Sequence, residues 1–103
     1  MVKRIADWIE LLHDGNVVAR CTAARALGEM GEQARAALSC LIAALEDREP
    51  VVRDAVADAL GCIAPEAPEV VQPLRQALAD TNSFVRRTAA KVLKKADIAC
   101  PAK

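Results

Sequence analysis

Apolar residues recur along this chain with the spacing of helix faces. Leu38, Leu41, Ile42 and Leu45 fall at i, i+3, i+4 and i+7, one side of a helix. Val52, Val56, Ala59, Leu60 and Ile63 make the stripe of a second helix. The pair of patterns occurs three times. At an offset of 33 the chain aligns on itself without a gap: Leu12, Leu45 and Leu78 coincide, as do Ala24, Ala57 and Ala90, and Leu27, Leu60 and Leu93. Softer columns agree too, with Trp8 over Leu41 and Leu74, Ile5 over Leu38 and Val71, and Ala19 over Val52 and Val85. The repeat predicts three two-helix units, about 1–33, 34–66 and 67–100, forming one domain over residues 1–100 with a short tail at 101–103.

The segments between the apolar runs read as turns. Within the units these are Asp14-Gly15-Asn16, Asp47-Arg48-Glu49 and Asp80-Thr81-Asn82. Asn16 and Asn82 suit helix N-caps, and Pro50 suits the first position of its helix. Between units, Gly31-Glu32-Gln33 and Ala64-Pro65-Glu66 are short enough to force each hairpin onto the last. The expected fold is all-α: a solenoid of three stacked helical hairpins, six helices in all, with a right-handed superhelix.

Composition narrows this further. Of 103 residues, 53% are hydrophobic, mostly Ala, Leu and Val, so the chain is too apolar to remain disordered. A domain of this size buries about 60% or more of its unfolded surface, enough to fold without staples. No stretch offers the roughly 18 uncharged apolar residues of a membrane span. The start, Met1 to Asp7, meets an acid too early for a secretory segment, and a cytoplasmic protein is expected.

Two charged columns break the apolar pattern. Asp14, Asp47 and Asp80 close the first helices, and Arg20, Arg53 and Arg86 follow six residues later. The Asp can accept from the amides of its turn, and the planar five-donor head of Arg suits a carboxylate. Stacking brings each Arg near the Asp of its own or the adjacent unit. The expectation is a structural Asp/Arg ladder along the turn edge, because solvated charges would not recur three times in register.

The string Asp47-x-x-x-Val51-Val52-Arg53-x-Ala55-x-Ala57-x-Ala59-Leu60-Gly61, followed by Ile63-Ala64-Pro65-Glu66-Ala67, resembles the HEAT repeat, closest to the short bacterial type named for phycobilisome lyases. The likeness covers residues 1–96. Pro73 inside a first helix is in keeping with it, since that helix is commonly kinked in the family. Ankyrin shares the period, but its Thr-Pro-Leu-His turn is absent. A tetratricopeptide unit would want large aromatics, and this chain has one Phe, one Trp and no Tyr. The resemblance implies that the second helices line an inner, concave side where partners bind. At the ends, Arg4, Asp7 and Glu10 replace Val70, Cys40 and Ala43, while Lys94 takes the Gly28/Gly61 register and Asp97 that of Gly31. These substitutions suggest capping ends and a complete three-unit protein.

Catalytic chemistry finds little to work with. His13 is the only imidazole, so neither a metal site nor a triad with Ser39 or Ser83 is expected. Cys21, Cys40, Cys62 and Cys100 form no Cys-x-x-Cys pair, which argues against zinc and for reduced thiols. Cys40 is expected half-buried, and Cys21 and Cys62 on the surface. The four glycines form no phosphate loop. The reading is a non-enzyme with no cofactor and no metal.

Binding residues are read from the exposed columns of the second helices. These are Cys21, Arg25 and Glu29 in unit one, Asp54, Asp58 and Cys62 in unit two, and Arg87, Lys91 and Lys95 in unit three. Net charge changes along the units, −1 over residues 1–33, −3 over 34–66 and +4 over 67–103, summing to zero. Such polarity steers and orients a protein partner, or a second copy head to tail. The leading expectation is a protein–protein interaction module, an adaptor or accessory subunit in assembly of a larger complex. One alternative is nucleic-acid binding through Arg86, Arg87, Lys91, Lys94 and Lys95, which the interleaved Asp54 and Asp58 oppose. Another, from the resemblance, is a lyase-like subunit that needs a partner chain.

Overall fold

Three consecutive helical hairpins make up the computed structural model, which describes residues 3–99. Unit one pairs α1 (Ile5–Leu11) with α2 (Val17–Glu29), and unit two pairs α3 (Leu38–Ala44) with α4 (Pro50–Ile63). Unit three pairs α5 (Pro68–Ala77) with α6 (Ser83–Ala99). No strand occurs among the described residues. The Cα trace fills a slab of 45 × 29 × 16 Å, two helices thick.

The turn residues start the second helices in the expected way. Asn16 Oδ1 accepts from Val18 N at 2.7 Å and Ala19 N at 3.2 Å. Asn82 Oδ1 does the same for Phe84 N at 2.8 Å and Val85 N at 3.2 Å. Helices α4 and α5 begin instead on Pro50 and Pro68, whose missing N–H would have been unpaired there anyway.

The link between units one and two is longer than Gly31-Glu32-Gln33. Gly31 ends α2 with φ of +60°, and the chain then takes two short 3-10 turns, broken at Ala34, before α3 begins. Ala34 leaves helical dihedrals at φ −96° and ψ 17°. The cause lies in the residues: Gln33-Ala34-Arg35-Ala36-Ala37 offers no side chain able to cap an earlier start. Ala34 and Ala37 are fully buried against the core, while Glu32, Gln33, Arg35 and Ala36 stay exposed.

The two layers pack differently. Leu27, Leu41, Leu60 and Leu74 are fully buried in one contiguous core, each contributing on the order of 1.5–3 kcal/mol. The second helices α2, α4 and α6 approach closely through small residues. A Cβ at Gly28 would lie 3.0 Å from Ala59 Cα, and one at Gly61 would lie 2.6 Å from a Val92 methyl. The first helices stand further apart. A crevice of about 650 Å³ opens between α3 and α5 beside Pro73 and Gln76, and one of about 240 Å³ between α1 and α3 beside His13 and Cys40. Ile42 and Leu45, expected in the buried stripe, edge the larger crevice and are only half-buried. In α1, Trp8 is half-buried against the core, with Lys3 Nζ 5.6 Å from its ring centroid.

Candidate protein-interaction surface

Helical periodicity brings the charged columns of α2, α4 and α6 to one face. Because the three helices pack closely, their side chains line a single groove of about 460 Å³. Six residues of the expected stripe border it: Arg25, Glu29, Asp54, Asp58, Cys62 and Lys91. Cys21, Arg87 and Lys95 do not. Arg87 instead lies with its Cζ 5.6 Å from the Phe84 ring centroid. Lys95 donates from Nζ to the Gly61 carbonyl at 3.1 Å.

The groove is partly cross-linked. Thr88 Oγ1 donates to Asp54 Oδ1, and Lys91 Nζ lies 3.5 Å from Asp58 Oδ1. Some of the acidic charge of α4 is therefore met by α6 within the chain. The Lys91–Asp58 pair is well exposed on both sides and is a weak tie.

Two of the cysteines depart from one another. Cys62 is exposed, whereas Cys21 is half-buried and packs against the core, contrary to the surface position expected of it. Burial pushes the Cys21 thiol up from its ordinary value, opposed by the nearby charges of Arg25 and Arg20. Cys40 is half-buried, and Cys100 lies outside the described residues.

A column of apolar side chains shares these helices with the charged columns: Val51 lines the groove, and Val18 and Phe84 take its register on α2 and α6. Val18 is 68% exposed, Val51 48% and Phe84 62%. All three occupy the second position of their helices at the repeat offset of 33. Asn16, Pro50 and Asn82 fix where those helices begin, and so aim this column outward. The signal was present as a column of Val, Val and Phe. The charged stripe begins only at position 21, three residues beyond this column.

The turn edge carries the charged columns in a repeated geometry. Arg20 Nε donates to Asp47 Oδ2 at 2.8 Å, with Nη2 3.3 Å from Oδ1. Arg53 grips Asp80 likewise, Nε to Oδ2 at 2.8 Å and Nη2 to Oδ1 at 2.9 Å. Each Arg also donates from Nη1 to the carbonyl of its own unit's Asp: Arg20 to Asp14 at 2.8 Å, Arg53 to Asp47 at 2.7 Å, and Arg86 to Asp80 at 2.7 Å. The Asp carboxylates in turn accept from the backbone two residues on. The Arg53 hydrogen bond holds the Asp80 carboxyl below its usual range, and the same contact raises Arg53. A carboxylate so saturated makes a poor general base.

His13 is exposed, its Nδ1 3.1 Å from the Ile9 carbonyl. No group of three or more His, Cys, Asp or Glu is placed to hold a metal among the described residues. No helix there is long and apolar enough to cross a membrane.

No curated protein matches the sequence. Residues 5–94 match the family model for HEAT repeats, in keeping with the stacked hairpins, the closely packed second helices and the turn-edge Asp and Arg columns, and the chain belongs to that family.

Proposed function

We propose that this chain is a non-catalytic protein-interaction module, an adaptor or small accessory subunit, that takes a partner segment along α2, α4 and α6. HEAT repeats commonly serve as protein-interaction modules. The observation that carries the reading here is the exposed column Val18, Val51 and Phe84 on the helices that line a charged groove. Apolar anchors flanked by charge are the usual anatomy of a protein-binding patch. The charges suit a segment that is basic over α4 and acidic over α6.

Nucleic-acid binding has weaker support. Lys91 faces Asp58, Lys95 is bonded to Gly61 and Arg87 stacks on Phe84, so the basic helix is partly engaged already.

The test is affinity capture from the source lysate with the wild-type chain and a Val51→Glu/Phe84→Glu variant. Both side chains are exposed, so circular dichroism should show an unchanged fold. A protein held by the wild type and lost by the variant supports the reading. Equal capture by both, or none by either, overturns it.

A further inference from the structure

The ladder has two unmatched ends, and they are complementary. Arg86 keeps the backbone anchor that poses Arg20 and Arg53, its Nη1 2.7 Å from the Asp80 carbonyl. Its Nε and Nη2, the fork that grips a carboxylate in the other two units, meet no carboxylate among the described residues, and the residue is exposed. At the opposite end Asp14 Oδ1 accepts from Asn16 N at 2.8 Å, the pose that Asp47 and Asp80 adopt at 2.9 Å. Among the described residues, no guanidinium reaches the Asp14 carboxylate. Donor and acceptor are thus held ready in the geometry of the internal rungs.

The surfaces around them match as well. Ala24 and Ala57 are fully buried by the following unit, but Ala90 is exposed, and Leu93 is only half-buried where Leu27 and Leu60 are fully buried. On the facing end, Ala19, Thr22 and Ala26 repeat the positions of Val52, Ala55 and Ala59 and remain at least partly exposed. The third unit is basic and the first slightly acidic.

Two residues work against this fit: Arg4 is exposed where its counterparts Ala37 and Val70 are fully buried, and Lys94 takes a glycine register. In both internal joints a glycine, Gly28 or Gly61, allows an approach that even a Cβ would crowd. Lys94 holds that register in unit three, where Ala26 of an incoming chain would settle.

We propose that a second copy of this chain docks head to tail, the Arg86 fork of one gripping Asp14 of the other, with Lys94 keeping that joint looser than the internal ones. The contact is heterologous, so it propagates along the superhelix axis unless something limits it, and Lys94 is that limit. The joint is made by the end faces and leaves the groove of α2, α4 and α6 free.

Sedimentation velocity over a concentration series of the 103-residue chain tests it. The wild type should associate weakly and reversibly, and Lys94→Gly should tighten association about tenfold or more. Asp14→Arg and Arg86→Asp should each be monomeric alone, because like charges then meet at the joint. Mixed together they should associate again, since one joint regains Arg86 against Asp14. Asp14→Asn, which keeps the turn acceptor, should weaken association without altering the fold. A monomer at near-millimolar concentration for both the wild type and Lys94→Gly overturns the proposal. So does association indifferent to the charge reversals, or failure of the mixture to recover it.

Discussion

At the joint between units one and two, Gly28 lies against Ala59, and the second helices meet through apolar contact. At the joint between units two and three, Gly61 lies against Val92, but polar ties are added: Thr88 to Asp54, Lys91 to Asp58 and Lys95 to the Gly61 carbonyl. Arg35 Nη2 and Glu66 Oε2, 3.4 Å apart, tie the two ends of unit two to each other and add nothing to either joint. The ladder rung is common to both. The joints therefore share a frame and differ in dressing. The acidic second unit and the basic third are partly an internal pairing, which a unit-by-unit charge count mistakes for free surface.

Substitutions can separate frame from dressing. Leu27→Ala empties a fully buried position at the plainer joint and should cost about 2–5 kcal/mol, measured by urea unfolding followed by circular dichroism. A cost below about 1 kcal/mol would show that this joint does not rest on apolar packing.

The rungs come next. Arg53→Ala leaves the Asp80 carboxylate, whose side chain is only 13% exposed, without its fork, and should cost about 1.5–3 kcal/mol. Arg86→Ala loses only an exposed bond to a carbonyl and should stay within about 0.5 kcal/mol in dilute monomer. Equal losses would mean that the grip on the carboxylate contributes nothing.

Acid should act on the same rung. Asp80 titrates below its ordinary value when folded, because Arg53 donates to its charged form. The unfolded chain thus takes up the proton first, and folding stability falls as pH drops. The contribution is fully present above the unfolded pKa of about 3.9 and is lost as pH falls through the folded value. Asp80→Asn should flatten this acid limb. An unchanged slope would remove Asp80 as its source.

The smallest effect belongs to the exposed dressing. Lys91→Ala should change stability by about 0–1 kcal/mol, shrinking further in high salt. A larger, salt-insensitive loss would move Lys91 into the frame.

Much of this was legible beforehand. Helix faces, turns and unit boundaries follow from local spacing, and the Asp and Arg columns declared themselves by identity. The repeat alone does not say whether each Arg holds the Asp of its own unit or of the neighbour. The answer is both, because five donors on one planar head serve a local carbonyl and a distant carboxylate together. The 3-10 course after Gly31 is not legible in the sequence, because Ala, Gln and Arg are good α-helix formers and their spacing does not mark the break at Ala34. Ties such as Thr88 to Asp54 join residues 34 apart, one off the repeat offset, and depend on how neighbouring helices are rotated. Periodicity within a helix says nothing of that rotation.

Trp8 sits in α1 alone, and the chain has no tyrosine. Indole emission therefore watches the first hairpin and is blind to the other two. In a one-dimensional stack whose outer members fray first, that makes the fluorophore a local clock. If its melting curve runs ahead of the backbone signal, the plainer joint is where the stack comes apart.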